Sequence, residues 1–324
     1  MTVPLIDISR AAAPDGFLET AAAIGAACRT HGFFYITGHE VPESLIDALT
    51  ASASRFFDLS LPEKMQISMD LGGSAWRGYF PPEQELTSGI PDQKEGIYFG
   101  TELDDSHPLV AAGTPMHGRN LWPEAVPEMR NQVLMYLKEM FRIGQSLMEL
   151  IGVSLGLERG YFRKSFSDEP TQLFRIFNYP QTDQSRGWGV GEHTDYGFLT
   201  ILWQDSSGGL EIKSNGEWIQ APSLPGTFVC NIGDMLDLLT GGEFLSTPHR
   251  VRNPAAKDRL SMPFFFDPGF NARLEKLPLA KPLRQVGRWD GKNLYDLEGC
   301  YGDYLLGKVS KVFPHLFNRI TLNS

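Results

Sequence analysis

The chain reads as an α+β fold with a mainly β core, a double-stranded β-helix of the jelly-roll, cupin-like type with surrounding helices. Two observations predict it. After residue 170, short β-type runs at 172–179, 198–203, 209–213, 217–220, 227–232, 247–252 and 259–266 alternate with turn signals such as Ser207-Gly208-Gly209, Asn215-Gly216 and Pro225-Gly226. Many short strands punctuated by Gly and Pro are the pattern of a sandwich or barrel. Before residue 170, apolar residues recur mostly at helical spacing, which supplies an outer layer.

The elements follow in order. Pro4-Leu5-Ile6-Asp7 is a short strand. Residues 15–31 place Phe17, Ala21, Ile24 and Cys28 on one helical face, and Gly32 is a natural stop. The segment from Gly32 to Gly38 is an apolar strand bracketed by glycines. A second helix is expected to start at Pro42, a good first-turn residue, and to carry Leu45, Ile46, Leu49, Phe56 and Phe57 inward. Residues 70–125 are rich in Gly and Pro and read as loop-dominated. Val133, Tyr136, Leu137, Met140, Ile143, Leu147, Leu150 and Ile151 make 127–155 one long amphipathic helix. Residues 301–313 are helical again. No internal repeat, low-complexity tract or linker is present. The expectation is one structural unit, with an N-terminal mixed α/β region (1–125), a β-helix core with its long packing helix (126–280) and a C-terminal helical extension (281–324).

With 324 residues, 42% of them apolar, the chain can bury a substantial core. A net charge of -10 with scattered basic residues argues against nucleic-acid binding, which relies on clustered Lys and Arg. No stretch approaches the ~20 apolar residues of a membrane span, and MTVPLIDISR meets Asp7 and Arg10 before a signal-peptide apolar region could form. Cys28, Cys230 and Cys300 lie far apart and form no CxxC pair. They read as buried small hydrophobes in a reducing cytoplasm. The expected partner is a small-molecule substrate, with no obligate protein partner.

Three segments carry the chemistry: His193-Thr194-Asp195, His249 in STPHRV, and Arg259-Leu260-Ser261. Two imidazoles and one carboxylate are the usual ligands of a non-haem iron oxygenase, leaving coordination positions open. On a strand, His193 and Asp195 project to one side and Thr194 to the other. A lone HxD is weak evidence; its position at the head of the β-rich half, with His249 in another β-type run, strengthens it. Catalytic zinc also takes three protein ligands, so a zinc hydrolase competes. The nearby Arg259 and Ser261, which face one way on their strand, favour iron because together they can hold a carboxylate. The remaining histidines (His31, His39, His107, His117, His315) read as surface or structural.

At this point the chain resembles the isopenicillin N synthase-like branch of the Fe(II)/2-oxoglutarate-dependent dioxygenases. The match includes Pro4-Leu5-Ile6-Asp7, GFFYITGHEVP at 32–42, Arg77-Gly78-Tyr79, Lys94-Glu95, Leu121-Trp122-Pro123, Asn178-Tyr179-Pro180 and HTDYGFLTIL at 193–202. It continues through Gln204-Asp205, Gly208-Gly209-Leu210, Asn231-Ile232-Gly233-Asp234, Ser246 to Val251 and Arg259-x-Ser261. The resemblance implies that His193, Asp195 and His249 bind Fe(II). It implies that Arg259 and Ser261 hold the distal carboxylate of 2-oxoglutarate, that Tyr179 hydrogen-bonds this co-substrate, and that O2 is consumed as succinate and CO2 form. Many plant members carry Asn-Tyr-Tyr-Pro where this chain has Phe177-Asn178-Tyr179-Pro180. Aligned on the proline, Tyr179 keeps its role and Phe177 takes the asparagine's place, which weakens any transfer of substrate from those enzymes. A 2-oxoglutarate-independent oxidase of the isopenicillin N synthase type and a catalytically silent binding protein stay open beside the oxygenase.

Strand parity extends the site. If Arg259 and Ser261 face inward, so do Pro263 and Phe265, while Phe264 and Phe266 face out; if Tyr179 faces inward, so do Phe177 and Arg175. Tyr196 follows the metal carboxylate and should stand near the mouth. Arg175, Tyr196 and Phe265 are therefore the expected substrate residues, suited to a ring-containing molecule with a carboxylate or carbonyl oxygen.

Overall fold

The computed structural model describes residues 2–314, apart from 88, 182–187, 215, 255–256 and 280–293. His315 and the turn residue Asn215 lie outside the described residues. In chain order the strands are β1 (Leu5–Asp7), β2 (Phe33–Thr37), β3 (Gly78–Phe80), β4 (Leu86–Thr87), β5 (Ile90–Pro91), β6 (Glu95–Gly100) and β7 (Thr171–Tyr179). They continue with β8 (Val190–His193), β9 (Leu199–Gln204), β10 (Leu210–Ser214), β11 (Glu217–Gln220), β12 (Phe228–Ile232), β13 (His249–Val251) and β14 (Arg259–Asp267).

Eight strands form the main sheet in the order β1-β2-β12-β9-β14-β7-β6-β3, and four form a smaller one, β11-β10-β13-β8. Residues of both sheets line one cavity between them. In the C-terminal half β7, β9, β12 and β14 lie in the main sheet and β8, β10, β11 and β13 in the smaller sheet facing it, which is the double-stranded β-helix. The N-terminal strands β1, β2, β3 and β6 extend the main sheet at both ends.

The helices Pro14–Thr30 and Glu43–Phe57 both pack against Met129–Ser154, which also packs against β14. Their apolar faces close over the outer face of the sheet, where Phe264 and Phe266 are fully buried. Gly144 permits this approach: a β-carbon there would sit 2.4 Å from the Phe266 ring. The second helix begins one residue later than expected, because Pro42 is its cap.

Two expectations need correction. Residues 70–125 are not mainly loop in their middle: β6 is a six-residue, fully buried strand of the main sheet, paired with β3 and β7. Glycines at both ends and the surrounding prolines masked its Ile97-Tyr98-Phe99 centre. The described histidines outside the β-rich block are structural, one of the two readings left open for them. His39 and His117 are buried, while His31 and His107 are half-buried and bonded to Ser214 and Glu169. Cys28 and Cys230 are buried, but Cys300 is half-buried and helps cap the helix Tyr301–Val312. Among the described residues no helix is long and apolar enough to cross a membrane.

Candidate active site

β8 and β13 are adjacent and antiparallel, and their register sets His193 opposite His249. The two rings lie 4.2 Å apart between centroids. Asp195 is not on a strand: β8 ends at His193, and the chain turns away through Thr194. The carboxylate returns to the histidines because its loop is tied down. The backbone N–H groups of Asp234 and Met235, opening a short helix (Asp234–Thr240), donate to Asp195 O and Gly197 O at 2.8 and 3.0 Å. Asp195 Oδ1 then lies 3.9 Å from His193 Nε2 and 3.8 Å from His249 Nε2. The three ligand atoms fall within 4.8 Å of one another.

Each group is oriented for this. His193 Nδ1 lies 2.8 Å from Gly191 O and His249 Nδ1 3.2 Å from Thr247 O. Protons on both Nδ1 atoms donate to those carbonyls and leave both Nε2 lone pairs facing the carboxylate. Asp195 divides its oxygens: Oδ2 accepts from Thr200 Oγ1 and, at 2.7 Å, from Asn231 Nδ2, while Oδ1 faces the histidines. Burial, reinforced by the neighbouring His249, pushes the His193 imidazole down to about 3, so it is neutral at ordinary pH. Burial alone would raise the Asp195 carboxyl; His249, His193, Asn231 and Thr200 outweigh it and hold the group below the usual carboxylate range. Two imidazoles that turn their Nε2 atoms toward a carboxylate are the donor set that suits a divalent iron ion.

Arg259 opens β14 and is fully buried. Its Nε donates to Gly208 O at 2.6 Å and its Nη2 to Gln204 Oε1 at 3.0 Å, whereas Nη1 has no partner. Tyr179 is its register partner on β7, and Ser261 Oγ sits 3.4 Å from the Tyr179 hydroxyl. A fixed guanidinium with a vacant N–H, beside a Ser and a Tyr hydroxyl, is chemically matched to a carboxylate.

Arg175, Tyr196 and Phe265 line the same cavity as the histidines and Arg259; strand parity anticipates Arg175 and Phe265, and Tyr196 follows from its place next to Asp195. The Arg175 guanidinium carbon lies 4.1 Å from the Tyr98 ring centroid and 4.8 Å from that of Phe265. Its Nη1 is 3.5 Å from Glu85 Oε1, and its Nε is buried with no partner. Burial opposes its charge, but Tyr98, Glu85, Tyr196 and Asp195 together raise its pKa.

Sequence reasoning missed the groups behind these residues. Glu85, Thr87 and Lys94 line the cavity, and buried Lys94 bridges Glu85 (2.7 Å) and Asp92. Tyr98 Oη donates to Glu85 Oε1 at 2.6 Å. Asp267, also inward-facing on β14, accepts from Tyr301 Oη at 2.5 Å, and burial pushes its carboxyl up to about 7. Parity was an available signal for Asp267, and Lys94, Thr200 and Asn231 lay within the matched motifs without a role assigned to them. Glu85, Lys94, Thr200 and Asn231 arrive through non-local strand pairing.

Comparison with known proteins agrees with this geometry. Residues 3–125 match the family model described as non-haem dioxygenase in morphine synthesis N-terminal, and residues 170–268 match that of the 2OG-Fe(II) oxygenase superfamily. A probable iron/ascorbate oxidoreductase of Dictyostelium discoideum is 47% identical, with 91% of this chain and 89% of the relative covered. A homoarginine-6-hydroxylase of Glycine max is 35% identical over 97% and 98% of the two chains. A 1-aminocyclopropane-1-carboxylate oxidase of Dictyostelium mucoroides is 36% identical over 96% and 95%. The crystal structure of a full-length Neurospora crassa protein in complex with alpha-KG and thymine superposes with a TM-score of 0.78 at 26% identity, covering 99% of this chain and 97% of that one. The chain belongs to the 2OG-Fe(II) oxygenase superfamily. It is an Fe(II)- and 2-oxoglutarate-dependent oxidoreductase, and neither the zinc-hydrolase nor the silent-binder reading survives that membership.

Proposed function

We propose that the protein oxidises a C–H bond of a small, ring-containing molecule bearing a carboxylate or carbonyl oxygen, acting in the cytoplasm. The observation that carries this reading is Arg175: a guanidinium whose side chain is only 15% exposed, with a buried, unpartnered Nε, set between the Tyr98 and Phe265 rings in the cavity that holds the triad. In this reading His193, Asp195 and His249 hold Fe(II), and Arg259, Ser261 and Tyr179 hold the distal carboxylate of 2-oxoglutarate. Held by these residues, Fe(II) and 2-oxoglutarate would supply the O2-dependent oxidation of a C–H bond, with succinate and CO2 as co-products.

The chain's own residues do the rest. Arg259 fixes the co-substrate by its free N–H, with Tyr179 stacked against the guanidinium. Arg175 orients the substrate's oxygen while Phe265 and Tyr196 flank the ring. Leu173, Leu202, Leu210 and Leu305 line the same cavity and exclude water from it. Relatives named for homoarginine and 1-aminocyclopropane-1-carboxylate, and a neighbour holding thymine, act on or hold molecules with such oxygens. Three free thiols fit a reducing compartment.

The test is succinate-coupled turnover over a panel of homoarginine, 1-aminocyclopropane-1-carboxylate, thymine and aromatic acids, each beside an analogue lacking its oxygen anchor. An active substrate should lose affinity in Arg175→Met by roughly tenfold to a hundredfold in KM, while 2-oxoglutarate binding without substrate is unchanged. Loss of both together, or turnover indifferent to the oxygen anchor, overturns the assignment.

A further inference from the structure

We propose that a second cavity, on Arg77 and Thr171, binds a small carboxylate or other oxyanion. It is bounded also by Met116, His117 and Phe141, and it shares no lining residue with the active-site cavity. Its volume is about 210 Å³, against about 90 Å³ for the active-site cavity. A water needs only about 10–15 Å³ on this scale, so a small polyatomic anion fits.

Four basic side chains are buried among the described residues: Lys64, Arg77, Lys94 and Arg259. Lys64 is paired with Glu95, and Lys94 with Glu85 and Asp92. Arg259 has no carboxylate partner and an orphaned N–H, and it is the residue assigned to an incoming carboxylate. Arg77 has the same signature. It is 2% exposed, donates one hydrogen bond (Nη2 to Met116 O, 2.8 Å), and its Nε has no partner. No described carboxylate lies within ion-pair distance of it; Glu102 acts only at longer range.

Burial pushes the Arg77 guanidinium down to about 10, which leaves it charged at neutral pH. An isolated buried cation is unfavourable unless an anion and hydrogen bonds compensate it. The Thr171 hydroxyl, lining the same cavity, is also buried without a partner. Room for the guanidinium is built in: a β-carbon on Gly100 would fall 2.1 Å from Arg77 Nη2. The cavity's two carboxylates, Asp168 and Glu169, are solvent-exposed, and Glu169 is bonded to His107 at 2.9 Å. Water screens them, whereas nothing screens Arg77.

The experiment is calorimetric titration of the anaerobic enzyme, loaded with Fe(II) and saturating 2-oxoglutarate so that Arg259 is engaged. The probes are acetate and inorganic phosphate at constant ionic strength, which separates a carboxylate from an inorganic oxyanion. Expected is saturable one-to-one binding of at least one of them, weakened about tenfold by Thr171→Val and abolished by Arg77→Met, with the iron–keto-acid absorption band intact. The proposal is overturned if no saturable binding occurs, or if binding bleaches that band by displacing 2-oxoglutarate. Affinity unchanged in Arg77→Met, or in Thr171→Val should the former fail to fold, also overturns it.

Discussion

Arg259 and Tyr179 are register partners on adjacent antiparallel strands, with the guanidinium carbon 4.7 Å from the phenol ring centroid. The ring, Gly208 O and Gln204 Oε1 lock the guanidinium with its Nη1 vacant. Arg259→Ala should therefore weaken 2-oxoglutarate by roughly a hundredfold, from the loss of charge-assisted bonds of about 1.5–3 kcal/mol each. Arg259→Lys keeps charge but not the fork, and should fall between. Anaerobic titration of the iron–keto-acid band measures both, and equal affinities in all three proteins would refute the assignment.

The metal carboxylate depends on its donors. Removing Asn231 or Thr200 frees Asp195 Oδ2 to rotate, so Asn231→Ala should lower Fe(II) affinity about 10–100-fold with the fold retained. Competition with a metal-indicator dye gives the number. An unchanged dissociation constant would mean that the loop anchors at Asp234 and Met235 position Asp195 by themselves.

Asp267 predicts a pH dependence. Its carboxyl is raised by burial from the unfolded 3.8 to about 7, so the folded state holds a proton that the unfolded state has released. That contribution is full below pH 4 and declines, by at most about 1.4 kcal/mol per pH unit, as pH rises to 7. Asp267→Asn should flatten this part of the stability curve in the metal-free protein. Parallel melting curves for wild type and variant between pH 4.5 and 7 would contradict it.

Glu85 balances two cations, the buried Lys94 and the half-buried Arg175. Glu85→Ala leaves Arg175 without a carboxylate and Lys94 with Asp92 alone and should destabilise the fold by about 3–5 kcal/mol, whereas Glu85→Gln, which keeps an acceptor for Lys94 and Tyr98, should lose less. Urea unfolding of the three proteins decides. Glu85→Ala as stable as wild type would show that water or Asp92 compensates the charges.

Much of this site was legible in the chain. Strand parity alone brought Arg175, Phe265, Arg259 and Ser261 to one face, and the helices Pro14–Thr30 and Met129–Ser154 lie where apolar spacing put them. Side-chain alternation and helical periodicity are properties of consecutive residues, so local sequence fixes them. The turn that carries Asp195 back off the end of β8, the place of β6 in the main sheet and the Glu85–Lys94–Asp92 cluster were not readable. Nor were the donors Thr200 and Asn231, or the unpaired guanidinium of Arg77. Each depends on which distant strands become neighbours and on what remains unpaired once they do. Those pairings close loops of up to about 200 residues, as between β2 and β12, and only the free energy of the whole packed sheet selects them.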